Sequence, residues 1–478
     1  MALQTSRRTT LTALALLTGL TALSAGAWGL SKWSPFTDEP PPVMWPDNVQ
    51  PVADYVERAT GLEFERPIRF EFVGDTAAYA ARVATPNDGR PSETPEVDDA
   101  IGRALGLWAG DVSLAAAAAQ YVGGAPFPST WISDDNLVVI NADDEQTELS
   151  PYANAELSLL LTQVLDDQLF HVVDRALTAD TQQSYQSVLG LAVGHALWVH
   201  EAYIADLGQA DTADYDRAYR ERVQAYAQQI TDVPPAYSAL RSSGQQLGPV
   251  FVAALMEENP ALVARAFATD FPEALDQLSL PTGKYLRPDP LEPITDPPTP
   301  RGGQQVYTGQ VGPVGFYLLA STGFPVTDAL TAADGWGNDR YTAYTLDGLV
   351  CLDWHLIADS SDDADRMEAA LNGWASARPP TSKALVGRDG TNLYASVCDP
   401  GTEARQLTPT GVAISQYFGR ANQMAERIDF TGKPAVAECT AVTTFGRFTF
   451  TELITPNPQL DLAAELKQIE QDCVAQSS

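Results

Sequence analysis

Basic residues are scarce in this chain. Its 478 residues include 29 lysines and arginines against 62 aspartates and glutamates, a formal charge of −33. Such a surface repels phosphate backbones and anionic headgroups, so nucleic acid and acidic membrane surfaces are not expected partners. Solubility is the simplest role of this acidity, and a preference for basic partners is the second. Histidine is scarcer still: His171, His195, His200 and His355 are the whole supply. Any chemistry built on imidazole must draw on those four. Cysteine is also limited to four, Cys351, Cys398, Cys439 and Cys473, with no C-x-x-C pair, which argues against metal or redox use. G-x-S-x-G, P-loop and dinucleotide-binding signatures are all missing. Beyond residue 30 no run is long and apolar enough to cross a bilayer.

The first thirty residues read as an export signal. "TSRRTT" supplies positive charge, "LTALALLTGLTALSAG" an apolar segment, and Ala25-Gly26-Ala27 a small-residue cleavage site. Arg7-Arg8 resembles a twin-arginine signal. If uncleaved, residues 11–30 could just span a membrane as a single-pass anchor, the one membrane association this chain suggests. The expected address is therefore outside the cytoplasm, secreted or in the cell envelope. In an oxidising compartment four cysteines suggest two disulfides, with three connectivities open. Cys351–Cys398 with Cys439–Cys473 is preferred, because the first two end the strand-like runs "GLVCLDW" and "LYASVC".

Proline sets the expected domain boundaries. Residues 31–51 form a Pro-rich linker, and "PDPLEPITDPPTPRGGQQ" (288–305) a second one. Between them lies a helix-rich body, 52–287. It contains strands at "IRFEFVG" (68–74) and "NLVVINA" (136–142), and helices around 51–60, 98–108, 113–123, 153–177, 183–208 and 212–230. The second body, 306–478, opens with the helix "GPVGFYLLAST" and then alternates strands and helices. Gly335-Trp336-Gly337-Asn338 reads as a turn with a packed tryptophan leading into a strand. The expected class is α+β: a helix-rich domain with a small sheet, then an α+β C-terminal domain.

The helix at 153–177 poses the functional question. Leu157, Leu160, Leu161, Val164, Leu165, Val172 and Val173 recur at three-and-four spacing, as on a packed face. Positions 159 and 163 are four apart and point the same way. In a zinc peptidase that spacing holds the two histidines of H-E-x-x-H, with the adjacent glutamate as general base. Here the frame reads Leu159-Leu160-Leu161-Thr162-Gln163. Its surroundings nevertheless resemble a family, the secreted actinobacterial zinc-metallopeptidase-like proteins, whose helix has the form H-E-L-T-H-A-L-Q-D-Q-H-F. "LLLTQVLDDQLF" (159–170) keeps Leu161, Thr162, Leu165, Asp167, Gln168 and Phe170. "ALGLW", "STWISDDNLVVINA", "LGPVFVAAL", "LDQLSLPTGKYL" and "ADGWGNDRYTAY" are similar to other family segments, in order, across most of 52–375. Residues 400–478 match no part of it.

The resemblance implies zinc, and this chain lacks the groups to bind it. The two metal histidines fall on Leu159 and Gln163, the general base on Leu160, and the third ligand on Val193; a downstream histidine falls near Leu280. The implied reading is a filled site, with Thr162, Asp167 and Gln168 kept as scaffold. It gives a non-catalytic, exported pseudopeptidase without cofactor that holds a peptide or protein, possibly a basic one, with "NLVVINA" as the edge strand pairing with it. An alternative is an active hydrolase with a displaced site at His195, His200 and Glu201, where the second-histidine position of His200-Glu201 is Ile204. A second alternative is a structural envelope protein. The acidic pairs Asp166–Asp167 and Asp362–Asp363 diverge by about 100° per residue along a helix and are read as solvated faces.

Overall fold

In the computed structural model the described residues are 45–66, 68–83, 95–110, 112–122, 127–179, 181–229, 233–279, 284–286, 290–324, 326–405 and 461–476, with 440, 443–444 and 447–448. The export segment 1–30, most of the first linker, Leu280 and Cys439 lie outside them. The architecture is α+β and helix-rich, with two separate sheets.

Helix α1 (Gln50–Thr60) starts with proline in its first turn and stops at Gly61, whose φ of 70° is a left-handed cap open to glycine. Strands β1 (Arg69–Phe72), β2 (Ser129–Ile132) and β3 (Leu137–Ile140) form the first sheet in the order β1-β3-β2. This corrects the expected edge: β3 is the central strand, parallel to β1 and antiparallel to β2. All four of its residues are apolar and buried, the pattern of a strand covered on both faces. Short helices α2 (Thr76–Val83), α3 (Pro95–Leu105) and α4 (Leu114–Val122) lie between β1 and β2 in sequence.

The long helices follow. The segment expected as a single helix breaks into α5 (Pro151–Phe170) and α6 (Val172–Leu177) at His171, which adopts φ 55°. Asp167 fixes the break, its Oδ1 accepting from the Val173 N–H at 2.9 Å. Helix α7 (Gln182–Ala205) corrects the expectation that no run beyond residue 30 could cross a membrane: it is long and apolar enough, but 67% of its apolar window is buried within the fold. It packs on α5 on one side and on α9 (Pro235–Glu258) on the other, with α8 (Gln209–Gln229) linking the two. Helices α10 (Ala261–Ala268) and α11 (Leu275–Ser279) complete this half.

The second sheet is antiparallel throughout, in the order β4-β5-β6-β8-β7: β4 (Gln304–Gly309), β5 (Trp336–Leu346), β6 (Leu349–Ala358), β7 (Leu385–Asp389) and β8 (Asn392–Cys398). Helices α12 (Gly312–Ala320) and α14 (Ser361–Ser376) bury its inner face, where Phe316, Trp354 and Trp374 meet, and α13 (Val326–Asp334) packs on both of them. Cys351 and Cys398 sit directly opposite in the β6–β8 register and form a disulfide. Cys473, on α15 (Leu462–Gln476), is also disulfide-bonded.

The two sequence bodies share one core, in which Phe267 and Leu278 belong to the same apolar cluster as Phe316 and Trp374. Arg103 on α3 makes a two-pronged salt bridge to Asp399, and the Trp374 indole donates to the Leu105 carbonyl. The described part of the second Pro-rich stretch is a strap rather than a loose tether. Thr342 donates to the Pro297 carbonyl, Asn338 to the Glu292 carbonyl, and Arg340 pairs with Asp296. Proline keeps this strap extended, and the sheet supplies the hydrogen bonds it cannot make internally.

Candidate functional site

The questioned residues lie where α5 meets α7. Ser150 caps α5 by accepting from the Ala153 N–H, and Pro151 opens its first turn. The two helices run antiparallel, since Asp166 meets His195 while Glu156 meets His200. Three layers stack along their interface.

The middle layer is apolar. Leu159, Val193, Ala196 and Leu197 make a closed cluster of their own, all buried. Leu160 turns toward the first sheet, in the cluster of Trp131, Ile140, Leu157 and Leu161. Gln163 is half-buried. Of the four positions where the sequence resemblance expects three ligands and a base, only Gln163 carries a polar atom. A zinc ion takes at least three nitrogen, oxygen or sulfur donors from the protein, so this set does not fit one. Each buried aliphatic side chain instead contributes roughly 1.5–3 kcal/mol to the fold. Leu159→Ala is therefore expected to cost about 2–5 kcal/mol, read from the urea midpoint. A cost below about 1 kcal/mol would mean that the side chain lines open space.

The layers on either side are polar. His195 Nδ1 lies 2.9 Å from both Asp166 oxygens, with Phe267 edge-on to the imidazole. Asp166 is fully buried, which corrects its reading as a solvated residue. Burial pushes its carboxyl up, and the His195 partner pulls it down. Asp167, half-buried, is held by the α6 N–H already described, while Asp362 is exposed in the first turn of α14. At the other end His200 Nε2 stands 3.7 Å from Glu156 Oε1, both buried among Tyr152, Tyr215 and Tyr219. Burial first, and the Glu156 charge second, push all three phenols well above the ordinary tyrosine value.

A raised folded-state pKa favours the protonated form, so its contribution is complete below the unfolded value of about 10 and is lost as pH rises beyond it. Absorbance at 295 nm should thus show these three phenols ionising only together with alkaline unfolding. A drop in the 295 nm change near pH 10, in a chain with native circular dichroism, when any one of the three is replaced by phenylalanine would contradict their burial.

His195, His200 and Glu201 do not share a focus. His195 bonds Asp166, whereas His200, whose ring nitrogens make no hydrogen bond, lies near Glu156 at the opposite end of the apolar layer, and Glu201 is exposed. Five residues is more than one helical turn, so the two imidazoles point apart. Among the described residues no three His, Cys, Asp or Glu side chains form a group that could hold a metal. The polar residues of α5 instead tie backbone together. Thr162 donates to the Ser158 carbonyl, while Gln168 accepts from the Glu65 and Arg66 N–H groups and donates to the Arg66 carbonyl.

Comparison with family models, curated proteins and solved structures finds no match. Function must be argued from the geometry.

One feature escaped the sequence reading altogether. On the outer face of the second sheet a groove of about 590 Å³ runs between the Pro-rich strap and strands β6, β8 and β7. The only sequence signal for it is alternation in "CLDWHLIA", where Asp353 and His355 occupy the face opposite Trp354.

Proposed function

We propose that this chain is an exported, non-catalytic relative of the zinc metallopeptidases that binds a peptide or protein in the cell envelope. The observation behind this reading is the closed cluster of Leu159 with Val193, Ala196 and Leu197. An ionisable group left in such an enclosure without its metal would cost several kcal/mol, and aliphatic side chains remove that cost. On the Asp166 side of the cluster the polar residues are spent on fold contacts. Thr162, Asp167 and Gln168 bond backbone, and Asp166 and His195 bond each other.

A strand-pairing role for β3 does not enter the proposal, because both of its sides are taken. The excess of carboxylates favours a basic partner. The test is turnover of a quenched fluorescent peptide library by the purified chain, with added zinc and with chelator. The expected result is no hydrolysis above buffer in either condition. Chelator-sensitive hydrolysis that survives Leu159→Ala and is lost in His200→Ala would instead establish a displaced active site.

A further inference from the structure

The outer face of the second sheet divides into two halves, one covered and one open. Residues in register across its strands form rows on this face. Thr342, Asp353, Ser396 and Leu385 make one row, and Arg340, His355, Tyr394 and Gly387 the next. The first member of each row, on β5, holds the extended strap: Thr342 bonds the Pro297 carbonyl and Arg340 pairs with Asp296. The remaining members are the floor of the groove. The sheet thus already grips one extended, Pro-rich segment through its β5 side chains, and the strands beside it form the floor of a second, parallel track.

The chemistry of that track is specific. His355 and Tyr394 stack with ring centres 4.8 Å apart and planes 16° from parallel, and Asn392 Oδ1 holds the His355 Nε2 at 2.8 Å. Tyr394 is 45% exposed and Leu385 68%, high for residues of their size. Gly387, between them along the floor, has nothing within 4 Å of where a Cβ would stand. Asp353 faces the groove from the floor, accepting from the Tyr344 hydroxyl at 3.2 Å, while Asp296 on the strap is already paired with Arg340, and no lysine or arginine is among the lining residues. An aromatic platform with a neighbouring carboxylate suits an ammonium or guanidinium group with an apolar stem.

We propose that this groove is the partner-binding surface and that its occupant is an extended, cationic peptide segment lying alongside the strap. The inference rests on the binding role proposed above and gives it a location and a ligand chemistry.

The test is fluorescence anisotropy of a labelled decapeptide of alternating lysine and proline, titrated with the purified full chain. Saturable binding is expected, weakened roughly tenfold by Tyr394→Ala and by Asp353→Asn, and weakened again by 0.5 M salt, about where screening reaches only a few ångströms. Tyr307→Ala, which removes an exposed tyrosine on β4, should leave it unchanged. The glutamate–proline counterpart should not bind.

No binding, or binding indifferent to Tyr394 and Asp353, overturns the assignment. So does a neutral oligosaccharide that binds the groove with the same dependence on those residues. Failure here with no peptidase turnover removes the groove alone. Chelator-sensitive turnover removes the binding-protein reading itself.

Discussion

Gly194→Val is expected to prevent α7 and α9 from packing and to cost at least about 3 kcal/mol, at or beyond the usual range for overpacking. The two helices run parallel and meet through glycines spaced four apart on each, Gly190 and Gly194 against Gly244 and Gly248. A Cβ on Gly194 would stand 2.2 Å from the Gly248 carbonyl oxygen and 2.9 Å from its Cα; one on Gly248 would stand 1.9 Å from the Gly190 carbonyl oxygen. These neighbours are backbone, so they cannot rotate away, and the helices would have to separate along their length. Phe251 and Val252 follow on α9, and Leu191 and Ala192 lie between the α7 glycines, so the separation would open the core. Gly387→Ala, in open space, is the control and should shift stability by no more than about 0.5 kcal/mol. Urea unfolding followed by far-UV circular dichroism measures both. A Gly194→Val loss below about 1 kcal/mol would show that the contact is not tight.

Removing the Asp339 carboxylate should be comparably damaging. Asp339 is fully buried, and its two oxygens accept from four donors: the Val311 and Gly312 N–H groups at 2.7 and 2.8 Å, and the indoles of Trp336 and Trp354 at 3.0 and 2.8 Å. It therefore caps the start of α12 from a distant strand and fixes two core tryptophans. Burial pushes its carboxyl up, and the four donors pull the other way. Asp339→Ala orphans all four donors, and breaking a buried charged network of this kind costs about 3–5 kcal/mol. Asp339→Asn keeps one accepting oxygen but turns an NH₂ toward donors, so its loss should fall between wild type and alanine. Near-UV circular dichroism should lose its tryptophan fine structure in Asp339→Ala at temperatures where the wild type keeps it. An alanine variant within about 1 kcal/mol of wild type would contradict this account of the cap.

The α+β class, the limits of α1 and α7 to within a few residues, and the Cys351–Cys398 pairing were legible because periodicity and caps are local signals. The misread features depend on distant partners. Asp166 looks like any helical aspartate until His195, 29 residues on, is seen to cover it. The break at His171 interrupts a run whose apolar residues continue through Val172 and Val173, so spacing alone points to one helix. Whether β3 is central or an edge depends on where β1 and β2 fall in space. Gly190-x-x-x-Gly194 and Gly244-x-x-x-Gly248 are visible in the sequence, but nothing in it says that one pair faces the other. The strap reads as a linker because proline excludes helix and says nothing about what holds the chain down. At the candidate site the identities of Leu159, Leu160, Gln163 and Val193 were readable residue by residue. Their mutual packing was not.

Equilibrium dialysis of the purified chain against micromolar zinc, followed by metal analysis, addresses the proposal of a filled metal site most directly. The expected result is no tightly held zinc, in the wild type and in Leu159→Ala alike. One zinc retained per wild-type chain, and released when His195 or His200 is replaced by alanine, would contradict it.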